Sequence, residues 1–301
     1  MNQITLSNSV KVPMLGFGTW NLANNIAKQV VVDAIKTGYR HIDCASVYGN
    51  EKEVGEGIQQ AIADDLVKRE ELFITSKLWN TDHATEHVSD ACKKTLQDLQ
   101  LDYLDLYLVH WAVAFEHGSD LEPLDENGLA RFAHVPLQET WVAMEGLVNE
   151  KLAISIGVAN YSAPLLIDLL SYARIKPAMN QIEVHPYHSQ DNLIKFCKSQ
   201  GIAVTAYSPL SSSGNPALKN ETIIKIANHH KKTDAQVVLR WAYQRGTPAI
   251  PKATNIERIK ENFSITDFEL NEGEMSNIDS LDRRMITCNA NEWWGFPYFQ
   301  I

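Results

Sequence analysis

Cysteine is scarce: Cys44, Cys92, Cys197 and Cys288 are the only four in 301 residues, dispersed and without a CxxC pair. That excludes a disulfide-stapled scaffold and a zinc knuckle and leaves four free thiols as the expectation. No stretch approaches 18 uncharged apolar residues, so no segment is expected to span a bilayer. Residues 1–18 carry no basic segment followed by an apolar run and a small-residue cleavage site. A cytoplasmic location is therefore expected, and the sequons at Asn160 and Asn220 are read as chance matches. Basic residues are outnumbered 27 to 37, a net charge of −10, which argues against a nucleic-acid or membrane partner and requires a local basic pocket for any phosphate-bearing ligand. Only 15 glycines and 11 prolines are scattered through the chain, so disorder and fibrous repeats are excluded too.

Two motifs are also missing. Gly16-Phe17-Gly18 runs into Thr19-Trp20-Asn21, and Gly55-Glu56-Gly57-Ile58 sits inside a helical pattern, so the GxGxxG turn of an open dinucleotide-binding sheet is absent. HExxH is absent because position 84 is alanine, and neither His83/His87 nor His229-His230 brings an evident third ligand. No metal is expected.

What is present is alternation. Short apolar runs at 14–17, 39–43, 72–76, 104–109, 154–157, 178–181, 203–207 and 248–250 have the length of buried parallel strands. Between them amphipathic segments predict helices at 27–36, 51–63, 85–99, 137–149, 163–170, 190–199, 221–230 and 255–262. A further one at 235–245, capped by Thr233 or Asp234, breaks the crossover before the last strand. Eight strand–helix units predict an α/β fold, a (β/α)8 TIM barrel, as one domain over residues 1–301. Ile4 to Leu6 and Val10 to Val12, joined by a turn at Asn8-Ser9, predict a short hairpin that could plug the amino-terminal end. The aromatic tail from Asn289 has no helical or alternating period. It is expected as a loop over the carboxyl-terminal mouth, with packing against outer helices as the alternative.

Barrel chemistry sits at the carboxyl ends of the strands. There the pattern places Asp43, Tyr48, Lys77 and His110, beside Trp20, Trp79 and Trp111. A phenol with an ordinary pKa of about 10 needs help to exchange a proton at neutral pH, and the Lys77 ammonium would lower it. Asp43 would keep that buried ammonium charged and oriented. His110, as a neutral imidazole, would donate to a substrate oxygen. Three indoles make an apolar, water-poor pocket that suits aldehydes and ketones and could stack on sugar faces. Each residue alone is as well explained by scaffolding; their convergence points to catalysis.

With Leu15 to Trp20, Gly38 to Asp43, Tyr48 to Glu51, Ile74 to Trp79, Leu99 to Trp111 and Ile250 to Asn262 on the page, the chain resembles an aldo-keto reductase of the aldose reductase type over nearly its whole length. The resemblance implies an NAD(P)H-dependent oxidoreductase that reduces an aldehyde or ketone to the alcohol. Tyr48 is then the proton donor, Lys77 and Asp43 its tuning pair and His110 the orienting residue. It implies NADPH laid across Thr19, Trp20, Asp43, Asn160, Gln181, Tyr207, Ser208, Pro209, Leu210, Ser212, Ile250, Lys252, Ala253, Thr254, Arg258, Glu261 and Asn262, with Tyr207 stacked on the nicotinamide. Trp20, Tyr48, Trp79, His110, Trp111 and Trp293 would line the carbonyl substrate's site. Lys252 and Arg258 supply the basic pocket that favours a 2′-phosphate, with backbone amides at the helix start, although Arg258 could instead pair with Glu257 or Glu261. Ala159 and Ala253 stand where the family usually has serines: the first implies a missing hydrogen bond to the carboxamide, the second a lost hydroxyl contact that Thr254 or Asn255 could replace, so that use of NADH stays possible, and the short segment after Ser211 suggests a reduced cofactor flap. A monomer acting on aldoses or other aldehydes is the leading expectation. A cofactor-binding regulatory subunit with little turnover, and a reductase using both cofactors in polyol metabolism, are the alternatives.

Overall fold

The computed structural model describes residues 2–299 apart from 213 and 215. The chain begins with an antiparallel hairpin, β1 (Gln3–Thr5) and β2 (Lys11–Pro13), whose turn carries Ser9 at a left-handed φ of 71°. Seven parallel strands follow in sequence order around one sheet: β3 (Phe17–Gly18), β4 (His41–Asp43), β5 (Phe73–Leu78), β6 (Leu104–Val109), β7 (Ala153–Ala159), β8 (Met179–Glu183) and β9 (Ala203–Tyr207).

The eighth expected strand, 248–250, is not a strand. Ala249 makes single parallel bridges to Leu15 on one side and Ala206 on the other, so the barrel closes through one residue. At this seam a Cβ on Gly18 would lie 2.9 Å from the Ile250 carbonyl oxygen; glycine is what lets the two backbones meet. The expected first strand, 14–17, is likewise shortened and shifted to Phe17–Gly18, because residues 14–16 spend their hydrogen bonds on that seam.

Helices α1 (Asn24–Thr37), α2 (Glu51–Ala63), α3 (Thr85–Leu99), α4 (Leu137–Asn149), α5 (Ala163–Tyr172), α6 (Asp191–Ser199), α7 (Glu221–His230), α8 (Asp234–Gln244) and α9 (Ile256–Phe263) clothe the barrel. Each expected helix is present, with ends moved by up to three residues. Thr233 caps α8 in a reciprocal box with Gln236, and Asn255 caps α9. Two helices were not expected. Helix α10 (Glu272–Asp279) has only Glu274 and Ile278 buried, too little apolar stripe to register as a period. Helix α11 (Ala290–Trp294) corrects the reading of the tail as a loop; it is a single turn capped by Asn289.

The main apolar core lies between strands and helices. A second cluster joins Leu6 and Val12 of the hairpin to Phe73, Leu106, Leu108 and Met179 inside the ring, so the hairpin covers the amino-terminal end. At the opposite end Trp294 packs with Trp79, Trp111 and Phe115. Tyr298 accepts from the Ala112 amide and donates to the Asn160 carbonyl, both at 3.0 Å. The tail lies across the carboxyl-terminal mouth. Among the described residues no helix is long and apolar enough to cross a membrane.

Candidate active site

The end of β4 sets the geometry. Asp43 terminates the strand, Ala45 stays extended, and residues Ser46–Tyr48 form one 3₁₀ turn stopped by Gly49 at a φ of 66°. Asn50 pins this turn to the first strand end by donating to the carbonyls of Thr19 at 2.9 Å and Leu22 at 3.1 Å. The turn brings Tyr48 back over β5. Lys77 lies within β5 rather than beyond it, since the strand runs to Leu78 and not to the expected Ser76.

Lys77 is fully buried, and its ammonium donates to Asp43 Oδ1 at 2.6 Å, to the Cys44 carbonyl at 2.8 Å and to the Tyr48 hydroxyl at 3.1 Å. The second Asp43 oxygen accepts from Gln181 Nε2 at 2.6 Å. Asp43 thus joins β4, β5 and β8 across the ring. Burial alone would push Lys77 down, but the adjoining carboxylate and phenol hold it above its ordinary value.

One expectation is corrected here. The Tyr48 hydroxyl is not lowered overall: burial pushes it up to about 12, and Lys77 recovers only part of that rise. A resting phenol held protonated is what a proton donor requires. Burial, helped by the positive Lys77, holds His110 well below the ordinary imidazole value, so its ring is neutral at pH 7. It meets Tyr48 edge-on with centroids 5.9 Å apart and Trp79 at 5.1 Å. Its Nδ1 is buried with no partner among the described residues.

These groups open into a cleft of about 1120 Å³. Its lining includes Trp20, Val47, Trp79, Trp111, Glu122 and Trp293 together with Ser208 to Ser212, Lys252 and Arg258. On its floor Asn160 stands at a left-handed φ of 62°, which asparagine tolerates. Its Nδ2 donates to the His110 carbonyl at 3.0 Å, and its Oδ1 accepts from the Tyr207 hydroxyl at 2.7 Å.

Most of the residues expected at the site line this cleft; Lys77 stands behind it and acts through Tyr48, and three others do not line it. Thr19 is buried behind the cleft, donating to the Asp43 carbonyl at 2.8 Å. Ala253 is part of the core, and Thr254 is exposed outside the lining. The expectation that α9 offers its amides to an anion is also narrowed: the Arg258 amide is already capped by Asn255 Oδ1 at 2.9 Å. No ion pair ties Arg258 to Glu257 or Glu261 among the described residues; Glu261 instead accepts from Thr233. Trp294 is wholly buried beneath the mouth, and Asn289 caps its own helix.

Asn21, Val47, Glu122, Leu218, Thr233, Asp234, Ala235 and Cys288 line the cleft and were missed. Cys288 sits 3.3 Å from Ser208 Oγ, placed by Glu183, which accepts from the Thr287 and Cys288 amides at 2.8 and 3.1 Å. Only folding brings Glu122, Leu218, Thr233, Asp234, Ala235 and Cys288 to the cleft, whereas Asn21 and Val47 adjoin Trp20 and Tyr48 and were within reach of the strand-end rule. The flap segment around 211–215 falls partly outside the described residues.

The Aldo/keto reductase family model matches residues 14–283. The chain belongs to the aldo/keto reductase family. This aldo/keto reductase is 48% identical over 295 residues to aldose reductase B of Dictyostelium discoideum, covering 96% of this chain and 94% of the relative. It is 45% identical to a probable NAD(P)H-dependent D-xylose reductase of Aspergillus flavus, covering 93% of each. The solved aldose reductase of Schistosoma japonicum superposes with a TM-score of 0.92 at 44% identity, covering 96% of this chain and 95% of that one.

Of the histidine pairs set aside for want of a third ligand, His83 is buried with both nitrogens unpartnered among the described residues, and His87 stacks on His117 at 3.6 Å. His229-His230 does have a third group, Glu274, on the outer helices and away from this cleft.

Proposed function

We propose that this chain reduces neutral aldehydes, aldoses foremost, with NADPH. It is a nicotinamide-dependent oxidoreductase acting on small carbonyl compounds, and the finer reading rests on the site. The observation that carries it is the unbroken chain Asp43–Lys77–Tyr48, ending at a protonated phenol in the cleft that His110 lines.

The residues present fit a nicotinamide dinucleotide. Beside Tyr48 the floor carries the ring of Tyr207 and the side-chain amides of Asn160 and Gln181, groups that stack on and hydrogen-bond a carboxamide. Two exposed cations, Lys252 and Arg258, answer the phosphate charge that a chain of −10 otherwise repels. When bound, the cofactor supplies hydride to the carbonyl carbon. Tyr48 gives its proton to the carbonyl oxygen, which leaves as the alcohol, and the Lys77 ammonium at 3.1 Å stabilises the phenolate left behind. His110, neutral and packed between Tyr48, Trp79 and Trp111, orients the carbonyl and excludes water.

The preference for NADPH rests on Lys252 and Arg258. The alanine at 253, where a hydroxyl contact is lost, leaves room for NADH as a second donor. The preference for neutral substrates rests on the lining of the cleft, which carries four indoles and the Glu122 carboxylate, while its cations Lys252 and Arg258 are assigned to the cofactor's phosphate. Indole faces suit sugar faces, and Glu122 disfavours keto acids. A single domain, a monomeric state and a cytoplasmic location belong to the same proposal, the first supported by one continuous core.

The test is a panel of D-xylose, glyceraldehyde, benzaldehyde and a keto acid, run with NADPH and with NADH, on wild type and Tyr48→Phe. The expected order is neutral aldehydes above the keto acid and NADPH above NADH, with Tyr48→Phe slowed at least ~100-fold. A Tyr48→Phe variant as fast as wild type would overturn the mechanism, and keto acids turned over best would overturn the substrate class.

A further inference from the structure

We propose that His229, His230 and Glu274 form a zinc site that clasps the end of α7 to the start of α10, independent of the reductase cleft. Neighbouring residues on a helix ordinarily splay about 100° apart. Here α7 ends directly after His230, at Lys231 in the left-handed conformation, and both rings turn toward one carboxylate. His229 Nδ1 and His230 Nε2 each lie 2.9 Å from Glu274 Oε1, and the three ligand atoms all fall within 4.8 Å of one another.

A tetrahedral zinc with bonds of about 2.0–2.1 Å sets its ligand atoms roughly 3.3 Å apart. The two sides that meet at Glu274 Oε1 need to open by only a few tenths of an ångström, and the third lies within 4.8 Å. Metal entry asks of each imidazole only that its proton move to the other ring nitrogen. The site is also braced as ligand shells are. Glu274 Oε2 accepts the Asn271 amide at 2.9 Å in the capping box of α10, which fixes the carboxylate plane, and it lies 2.9 Å from His230 Nε2, as Oε1 does. His230 rests against Phe268, with centroids 5.4 Å apart. Glu274 and His230 are mostly covered, at 11% and 16% side-chain exposure, whereas His229 is 69% exposed. That leaves the fourth position open to water. The nearby Lys232 is engaged with Asp267 at 2.6 Å and does not contest the carboxylate. Two imidazoles and one carboxylate are the donor set of zinc and its neighbours among the divalent transition metals, and not of magnesium or calcium.

The experiment uses the full chain, stripped with EDTA and titrated with zinc chloride against a chromogenic chelator, in wild type, His229→Ala and Glu274→Gln. The first variant removes an exposed ring; the second keeps the capping acceptor and removes the charge. One equivalent is expected in wild type, weakened at least tenfold in both variants. The wild-type thermal midpoint should rise by roughly 3–6 °C at a zinc concentration about a hundred times the Kd, with the rise lost in His229→Ala. The proposal is overturned if wild type binds no more zinc than His229→Ala, or if the bound equivalent persists in both variants, which would place it at another histidine pair such as His87 and His117.

Discussion

Replacing Lys77 by methionine separates what the buried ammonium does for folding from what it does for catalysis. At 2.6 Å from Asp43 Oδ1, and with an effective dielectric constant of about 20, the attraction is about 6 kcal/mol, much of it cancelled by desolvation of the two ions. Lys77→Met therefore does not cost the attraction itself. It leaves the Asp43 carboxylate buried with only the Gln181 amide, and the Cys44 carbonyl without its donor. Losing one member of a buried pair costs about 3–5 kcal/mol. For 301 residues an unfolding entropy of about 0.6 kcal/mol/K converts this to a fall in Tm of roughly 5–8 °C. The double variant Asp43→Asn/Lys77→Met removes both charges and should regain more than half of that loss, while neither variant regains carbonyl reduction. The pH dependence follows from direction. The folded pKa of Lys77 lies above its unfolded value, so its contribution is complete below about pH 10 and fades only as pH rises toward the folded value. Stability is read from thermal and urea melts of wild type and the two variants at pH 7, and activity from oxidation of NADPH. If Lys77→Met melts with wild type, or if the double variant is no more stable than Lys77→Met, the pair is not the buried, mutually dependent unit described here.

Glu51 provides a test of opposite sign: burial pushes its carboxyl up to about 7 although Ser76 and Thr95 donate to it at 2.5 and 3.0 Å. A carboxyl raised on folding costs stability increasingly as pH climbs from its unfolded value to its folded one. Glu51→Gln should therefore be more stable than wild type at pH 8, by about 2–3 kcal/mol, and about equal at pH 4.5, as urea melts at the two pH values would reveal. Arg258→Ala should raise the KM for NADPH about 10- to 100-fold, the worth of a charge-assisted bond, and leave that for NADH nearly unchanged; equal effects on both cofactors in steady-state assays would remove Arg258 from the phosphate site. Gly18→Ala forces a methyl to within 2.9 Å of the Ile250 carbonyl oxygen, so a loss of about 1–3 kcal/mol is expected in thermal melts, and a neutral result would mean that the seam is not tightly closed.

The local chemistry of the chain determined a good deal by itself. Alternating apolar runs and capped amphipathic segments specify strands and helices, because a buried parallel strand must be apolar on both faces and a surface helix on only one. Strand-end position then singled out Asp43, Tyr48, Lys77 and His110, since Asp43 ends its apolar run and the other three follow theirs closely. Tertiary structure decided the rest. The eighth strand became a single bridged residue, Ala249, held between Leu15 and Ala206. Tyr48 went up in pKa because desolvation by the surrounding barrel outweighs a lysine that sequence alone placed nearby. Glu122, Cys288 and Thr233 entered the cleft, and Glu274 met two histidines 44 and 45 residues away, through packing between segments distant in the chain. Solvation and distance are properties of the assembled molecule, and no local pattern of residues encodes them.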